Sequence, residues 1–242
     1  MSELAGQTVV VIGGSSGMGL ETARRARAEG ADVILTGRNP DHLKQAAADV
    51  GAGSTAAFDV TDWAALQRFF ADLPGPVDHV MVTAGGQYYA SLAEMDFTQA
   101  GEAIDEHLLQ PLRIGRAAVG RVRPGGTLVF MTGSYARRPG PGLTIAGIAA
   151  AAIPNIVANL ALELAPVRAN VIAAGFVDTP LSAALLGDQL QKRRDRLSAT
   201  LPIRRVVGPA DVAALAVHLM TNTAVTGATY DIDGGEQLLP GS

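Results

Sequence analysis

The chain has no cysteine, only two lysines (Lys44 and Lys192), and aromatic residues make up just 5% of its 242 positions. Without cysteine there are no disulfides, thiolate metal sites or cysteine nucleophiles. A basic surplus is also missing. Nineteen Lys and Arg face 23 Asp and Glu, a net charge of −4, which argues against a nucleic-acid partner. Met1 to Gly6 shows no basic region followed by an apolar run, so a cytoplasmic protein is expected. Glycine is abundant, at 28 residues, and 48% of the chain is hydrophobic. No linker, repeat or low-complexity tract divides it, and a single domain over 1–242 is expected.

From Pro139 to Leu162 no residue is charged, a length that could span a membrane. The segment carries Pro139, Pro141, Pro154, Asn155 and Asn159, and much of its apolar content is alanine. A buried, close-packed helix is the preferred reading, with no membrane partner.

Short β-branched runs alternate with alanine-rich helical stretches. Strands are expected at Thr8–Ile12, Asp32–Thr36, Thr55–Phe58, Val77–Val82, Gly126–Met131, Val167–Ile172 and Thr229–Ile232. Helices are expected at Gly17–Glu29, Pro40–Val50, after Thr61-Asp62, at about Thr98–Arg121, around Ala149–Leu164, and at Pro209–Met220. Unbroken apolar strands joined by helical crossovers imply a parallel sheet covered on both faces. The fold class is therefore α/β, a doubly wound parallel sheet of about seven strands flanked by helices. Gln191–Arg196 reads as a solvated helix face, and the loops Gly85–Leu92 and Leu181–Leu201 as pocket walls.

Between the first strand and first helix stands Gly13-Gly14-Ser15-Ser16-Gly17-Met18-Gly19. Such a loop lets backbone N–H groups approach a pyrophosphate, which the helix N-terminus then stabilises. A Cβ would block the ligand or the turn. A tight turn alone is the plainer alternative, but placement after a first strand is the context that supports the motif.

The spacing Gly13…Gly17-Met18-Gly19 resembles the Thr-Gly-x-x-x-Gly-x-Gly loop of short-chain dehydrogenases/reductases, with Ile12 where that family usually has Thr. Asp59-Val60 resembles its adenine-binding pair, and Thr83-Ala84-Gly85 its Asn-Ala-Gly with Thr for Asn. Ala174-Gly175-Phe176-Val177-Asp178-Thr179-Pro180 is similar to the segment folding over the nicotinamide. Arg205–Val212 and Asp233-Gly234-Gly235 resemble C-terminal signatures. The resemblance covers nearly the whole chain. It implies a Rossmann fold and a nicotinamide cofactor touching Gly13, Ser15, Ser16, Gly17, Met18, Gly19, Asp59, Val60, Ala84, Gly85, Gly86, Gly175, Val177 and Thr179.

At the tip of the second strand, Thr36-Gly37-Arg38-Asn39 offers no carboxylate for the ribose hydroxyls of NAD. Arg38 suits the 2′-phosphate of NADP, with Thr36 and Asn39 as further hydrogen-bond donors, so NADP is favoured over NAD. A solvated surface arginine is the alternative for Arg38.

The family's proton donor is a Tyr-x-x-x-Lys pair assisted by a Ser. The residues four before the two lysines are Pro40 and Asp188, so this pair does not exist here. Counting back from Leu160-Ala161-Leu162-Glu163-Leu164, the Tyr position falls at Ala146 and the Lys position at Ala150. The Ser falls within Thr132-Gly133-Ser134, with Ser134 or Thr132 supplying the hydroxyl. The family's active-site Asn aligns with His107, a candidate proton donor because histidine as a residue type can gain and lose a proton near neutral pH; a hydrogen-bonded helix histidine is the plainer reading. Tyr135 is a further catalytic candidate, Tyr88 and Tyr89 read as pocket walls, and Arg137-Arg138 as a solvated basic pair or an anion site. Pro154 removes a helix hydrogen bond. No metal site is expected.

Three functions compete. The first is an NADP(H)-dependent oxidoreductase acting on a small carbonyl or alcohol through a non-standard site. The second is a non-catalytic NADP(H)-binding sensor or partner protein, motivated by Ala146 and Ala150. The third is a lyase or isomerase with His107 as base. Turnover of NADPH with carbonyls separates the first from the second, and His107→Ala the third. The small side chains of Ala149–Leu164 resemble the pairing helix of the family and imply a homodimer or homotetramer.

Overall fold

The computed structural model describes residues 2–86, 88–137 and 139–239. Seven parallel strands form one sheet: β1 (Thr8–Ile12), β2 (Asp32–Gly37), β3 (Ser54–Ala57), β4 (Val77–Val82), β5 (Val122–Gly133), β6 (Arg168–Ala174) and β7 (Thr229–Ile232). They lie in the order β3-β2-β1-β4-β5-β6-β7. The helices are α1 (Gly17–Ala28), α2 (Pro40–Val50), α3 (Trp63–Asp72), α4 (Phe97–Ala118), α5 (Thr144–Glu163), α6 (Pro180–Leu186), α7 (Leu190–Thr200) and α8 (Pro209–Thr221).

Strand alternation sorts side chains onto two apolar faces. Val9 and Val11 of β1, Met81 of β4, Val129 of β5 and Ile172 of β6 pack with Ala23, Leu43 and Val212 of α1, α2 and α8. Val10 and Ile12, Val80 and Val82, Leu128 and Phe130, and Val171 pack with Phe70, Ile114 and Ile153 of α3, α4 and α5.

Helix starts follow local chemistry. The Asn39 side chain accepts from Asp41 and His42 N–H at 2.9 and 3.1 Å, ahead of Pro40 in the first turn of α2. Asp96 caps α4 through Thr98 and Gln99 N–H at 2.8 and 3.1 Å, so α4 begins at Phe97. α5 is long and apolar enough by composition to cross a membrane. It lies instead in the layer beside α4 and against β5 and β6, burying Ile145, Ala149, Ile153, Val157 and Leu160. It runs unbroken through Pro154, where the proline has no N–H for the Ala150 carbonyl. Residues 181–201, expected as loop apart from a helix face at 191–196, contain α6 and α7.

The chain moves outward from β1 to β3, then restarts with β4 on the other side of β1. Ligands of open α/β sheets bind at such a reversal, beyond the carboxyl ends of the strands.

Candidate active site

At the end of β1, Gly13 and Gly14 N–H both donate to the Thr36 carbonyl at 3.0 Å. Gly13 has φ +94°, and a Cβ there would lie 2.6 Å from Ala84 N. A Cβ on Gly19 would overlap the Gly13 carbonyl oxygen. No side chain fits at either place. The Thr83 hydroxyl, standing where the family Asn was expected, donates to the Gly13 carbonyl at 3.0 Å and pins the end of β4 to this loop. Ser16 sits extended before α1 without a side-chain bond to the helix. The first-turn N–H groups of α1 therefore lack a side-chain cap, which suits an anion.

At the edge of the sheet, Arg38 is exposed, whereas Thr36 is buried. One sequence expectation changes here, that for Thr36. Thr36 faces the core and its carbonyl holds the glycine loop. The Asn39 side-chain oxygen is spent on capping α2. Asp59 accepts from Thr61 N–H and hydroxyl at 2.9 and 2.8 Å. The Thr61 backbone bond above all, with a smaller contribution from the charge of Arg38, holds the Asp59 carboxyl below its ordinary range. Val60 is buried in the core beneath.

A cavity of about 570 Å³ opens between Met18, the Thr83–Gly86 loop, α4, α5 and the Gly175–Thr179 segment with α6. Space beside Gly85 is open, since a Cβ there would meet nothing within 4 Å. Together with the side-chain-free loop and the uncapped helix, these residues fit a dinucleotide laid across the sheet reversal. The wall contains Ala146, Ala149, Ala150 and Ile153 from α5 and His107, Gln110 and Pro111 from α4.

Much of the polar lining is committed to protein partners. Thr179 and Ser182 form the reciprocal cap of α6. Arg193, from a stretch expected to be solvated, pairs with Glu236 at 2.9 Å and stands over the Phe176 ring at 5.6 Å. Its neighbour Arg194 grips Asp178 through two bonds of 2.9 and 2.8 Å, holding α7 on the Gly175–Thr179 segment. The wall also carries the polar side chains of Thr83, Tyr89, His107, Gln110 and Thr132. His107 Nδ1 lies 2.6 Å from the Ala103 carbonyl. A carbonyl can only accept, so Nδ1 carries the proton and Nε2 is the basic nitrogen of the neutral ring. Neighbouring Glu106 accepts from Gly86 N–H at 3.2 Å, tying the β4 loop to the start of this face.

Residues 12–237 match the family described as enoyl-(acyl carrier protein) reductase. The chain belongs to the short-chain dehydrogenase/reductase family. A short-chain dehydrogenase/reductase from Stachybotrys chlorohalonatus is 29% identical over 97% of this chain and 98% of the relative. A 3-oxoacyl-[acyl-carrier-protein] reductase from Chlamydia muridarum is also 29% identical, over 97% of this chain and 98% of its own. Among solved structures, a short chain dehydrogenase/reductase family protein superposes with TM-score 0.87 at 34% identity, covering 98% of this chain and 100% of that one. A small-chain dehydrogenase in complex with NADPH gives TM-score 0.82 at 25% identity over 96% of this chain and 99% of that one.

Within this family frame, the expected site residues fall into three groups. Met18, Ala84, Gly85, Gly86, His107, Gly175, Val177 and Thr179 come together in the cavity wall. Gly13, Ser15, Ser16, Gly17 and Gly19 form the loop beside it, with Arg38 and Asp59 farther along the sheet edge. Ser134 is buried in the turn after β5 but is not in the wall; Thr132 is. Of the other candidates, the Tyr135 side chain and Arg138 lie outside the described residues. Tyr88 staples its loop through its hydroxyl, which bonds Asp96 N and O at 2.9 and 3.2 Å. Arg137 is paired with Asp231. Sequence reading missed Gln110 and Arg193. The signal for Gln110 was a glutamine on the inward stripe of α4, between His107 and Ile114.

Proposed function

We propose that this short-chain dehydrogenase/reductase is an NADP(H)-dependent oxidoreductase of a small carbonyl or alcohol, with His107 delivering the proton. The observation that carries it is His107 in the cavity wall with Nδ1 engaged and Nε2 as the basic nitrogen. Oxidoreductase names among the relatives and an NADPH complex among the structural neighbours support the class. A nicotinamide cofactor held here would supply the hydride chemistry. The chain must supply the proton that follows the carbonyl electron pair onto oxygen. Ala146 and Ala150 have no proton to give. Protonated His107 gives its Nε2 proton to that oxygen, becomes neutral, and regains a proton from solvent. Thr132, which lines the cavity, donates a hydrogen bond to the same oxygen in this reading, the hydroxyl role that the sequence left open between Ser134 and Thr132. Arg38 holds the 2′-phosphate.

The test is incubation with NADPH or NADH and a carbonyl panel, followed at the nicotinamide absorbance, alongside calorimetric cofactor binding. His107→Ala should cut turnover by about 10²- to 10⁴-fold while leaving cofactor affinity unchanged. Turnover unaffected by His107→Ala would remove the histidine from the mechanism. Cofactor binding without turnover on any carbonyl would instead support a second reading, a non-catalytic NADP(H)-binding protein, which the two alanines favour. Exposed Leu112 of α4 and Ile148 and Leu162 of α5 further support a homo-oligomer paired through these helices. A monomeric mass by light scattering would refute that part.

A further inference from the structure

We infer that Glu236, in the turn after β7, is a positioning residue for the reacting half of the cofactor, acting through Arg193 and the Phe176 ring. The inference rests on the cofactor reading above and deepens it. Arg193 and Phe176 both line the cavity, and Phe176 is partly exposed there. The guanidinium stands over the ring at 5.6 Å from its centroid, a placement that a cation and an aromatic face favour. Glu236 Oε1 accepts from that guanidinium at 2.9 Å. An arginine side chain left to itself samples many rotamers, so the carboxylate is what keeps it on the ring.

The carboxylate is delivered by a closed turn. Asp233, 5% exposed, accepts from Gly235 N–H at 2.8 Å and Gln237 N–H at 2.9 Å. Between them Gly234 and Gly235 have φ +66° and +84°, where a side chain is strained. The turn backs directly onto the cavity segment. Gly175 N–H donates to the Ile232 carbonyl at 3.3 Å. A Cβ on Gly175 would lie 2.7 Å from Asp233 Cβ and 3.0 Å from Glu236 Oε2. The turn that carries Glu236 therefore fills the space a side chain would need. Contacts run from this turn through Arg193 to the Phe176 ring, while the separate Arg194–Asp178 pair holds α7 in place. His107 and Thr132 line the same cavity as Phe176. A ring that passes hydride to a carbonyl beside His107 has to fit in that cavity, whereas Arg38 and Asp59 lie farther along the sheet edge. Loss of Glu236 should thus be felt at the nicotinamide end alone.

Glu236→Gln, which keeps the side chain's size and removes its charge, provides the test, with Arg193→Met as its partner variant. Both are measured by calorimetry against NADPH and against adenosine 2′,5′-bisphosphate, which carries the adenine half without the nicotinamide, so no turnover is needed. Each variant should bind NADPH about tenfold more weakly than the parent and the bisphosphate within about twofold of it. Because the two residues act as one unit, the double variant should bind NADPH within about twofold of Arg193→Met. Unchanged NADPH affinity, equal losses for both ligands, or losses that multiply in the double variant would overturn the inference. Should Arg193→Met fail to fold, Glu236→Asp decides the same question: a shorter carboxylate should lose less than the amide, and equal losses would count against the pair. A parent with affinity for neither ligand would sink the cofactor reading and this inference together. A parent that binds NADPH through this pair yet transfers no hydride would leave the inference standing and sink the oxidoreductase reading alone.

Discussion

Arg38 stands at the tip of β2 with no carboxylate on that tip and with its charge felt by Asp59. A guanidinium there gains one strong charge-assisted contact from a ribose phosphate and nothing comparable from a ribose hydroxyl. Arg38→Ala should therefore raise the Kd for NADPH about 10- to 100-fold and leave that for NADH within about threefold, measured by calorimetry. Equal losses for both cofactors would make Arg38 a general surface charge. Single residues were only partly legible in the sequence, for identifiable reasons. Asn39 before Pro40 carried a helix-start signature, and its side-chain oxygen caps α2. Ser134 was placed by counting along a strand. One or two residues of register there decide which side chain faces the cavity, and Thr132 faces it. Gln110 escaped because its signal, a glutamine on the inward stripe of α4, is read as such only once the packing shows which stripe faces inward.

Among the elements, the strands were legible because both sheet faces are apolar and the runs are bounded by glycine and polar turns. β5 nevertheless begins at Val122, earlier than expected, since Arg123, Pro124 and Gly125 carry no strand signal. α6 was missed because its seven residues, PLSAALL, carry no apolar periodicity long enough to mark a helix, whereas α7, expected only as a helix face over 191–196, is held to other elements by Arg194 with Asp178 and Arg193 with Glu236. Arg168 makes such a link at the far end of the sheet. Its guanidinium donates to the carbonyls of Leu219 and Met220, in the last turn of α8, at 2.8 and 2.7 Å, and to Val225 at 3.0 Å. Burial pulls its pKa below the ordinary value, but a guanidinium stays charged, and helix carbonyl ends favour a cation. Removing it strands several buried acceptors at once. Arg168→Met should destabilise the protein by about 2–4 kcal/mol in denaturant titrations while cofactor Kd holds, since α8 ends away from the cavity. A loss below about 0.5 kcal/mol would mean that water replaces the guanidinium at no cost.

At the scale of the whole molecule, acid stability turns on a residue far from the chemistry. His79 lies on β4 between β1 and β5, 3% exposed. Its Nε2 donates to the Gln7 side-chain oxygen at 2.6 Å, and its Nδ1 has no partner. Burial lowers its pKa from 6.5 to about 4, with Arg168 adding to the fall and Asp78 opposing it. The folded ring thus stays neutral where the unfolded one takes a proton. Above pH 6.5 neither state is protonated and His79 contributes no pH dependence. As pH falls from 6.5 to about 4, the unfolded chain binds the proton first and stability declines, by up to about 3 kcal/mol. The carboxyls held low, Asp59 and Asp211, act in a separate window, losing their contribution only as pH falls below their ordinary value of 3.8. Denaturant titrations across the upper window should therefore show a steep decline for the parent and a shallow one for His79→Gln, which has no titrating ring. If both chains decline equally, protonation of His79 is not what limits the fold in acid, and the Nδ1 atom must find a partner on protonation that the neutral structure does not provide.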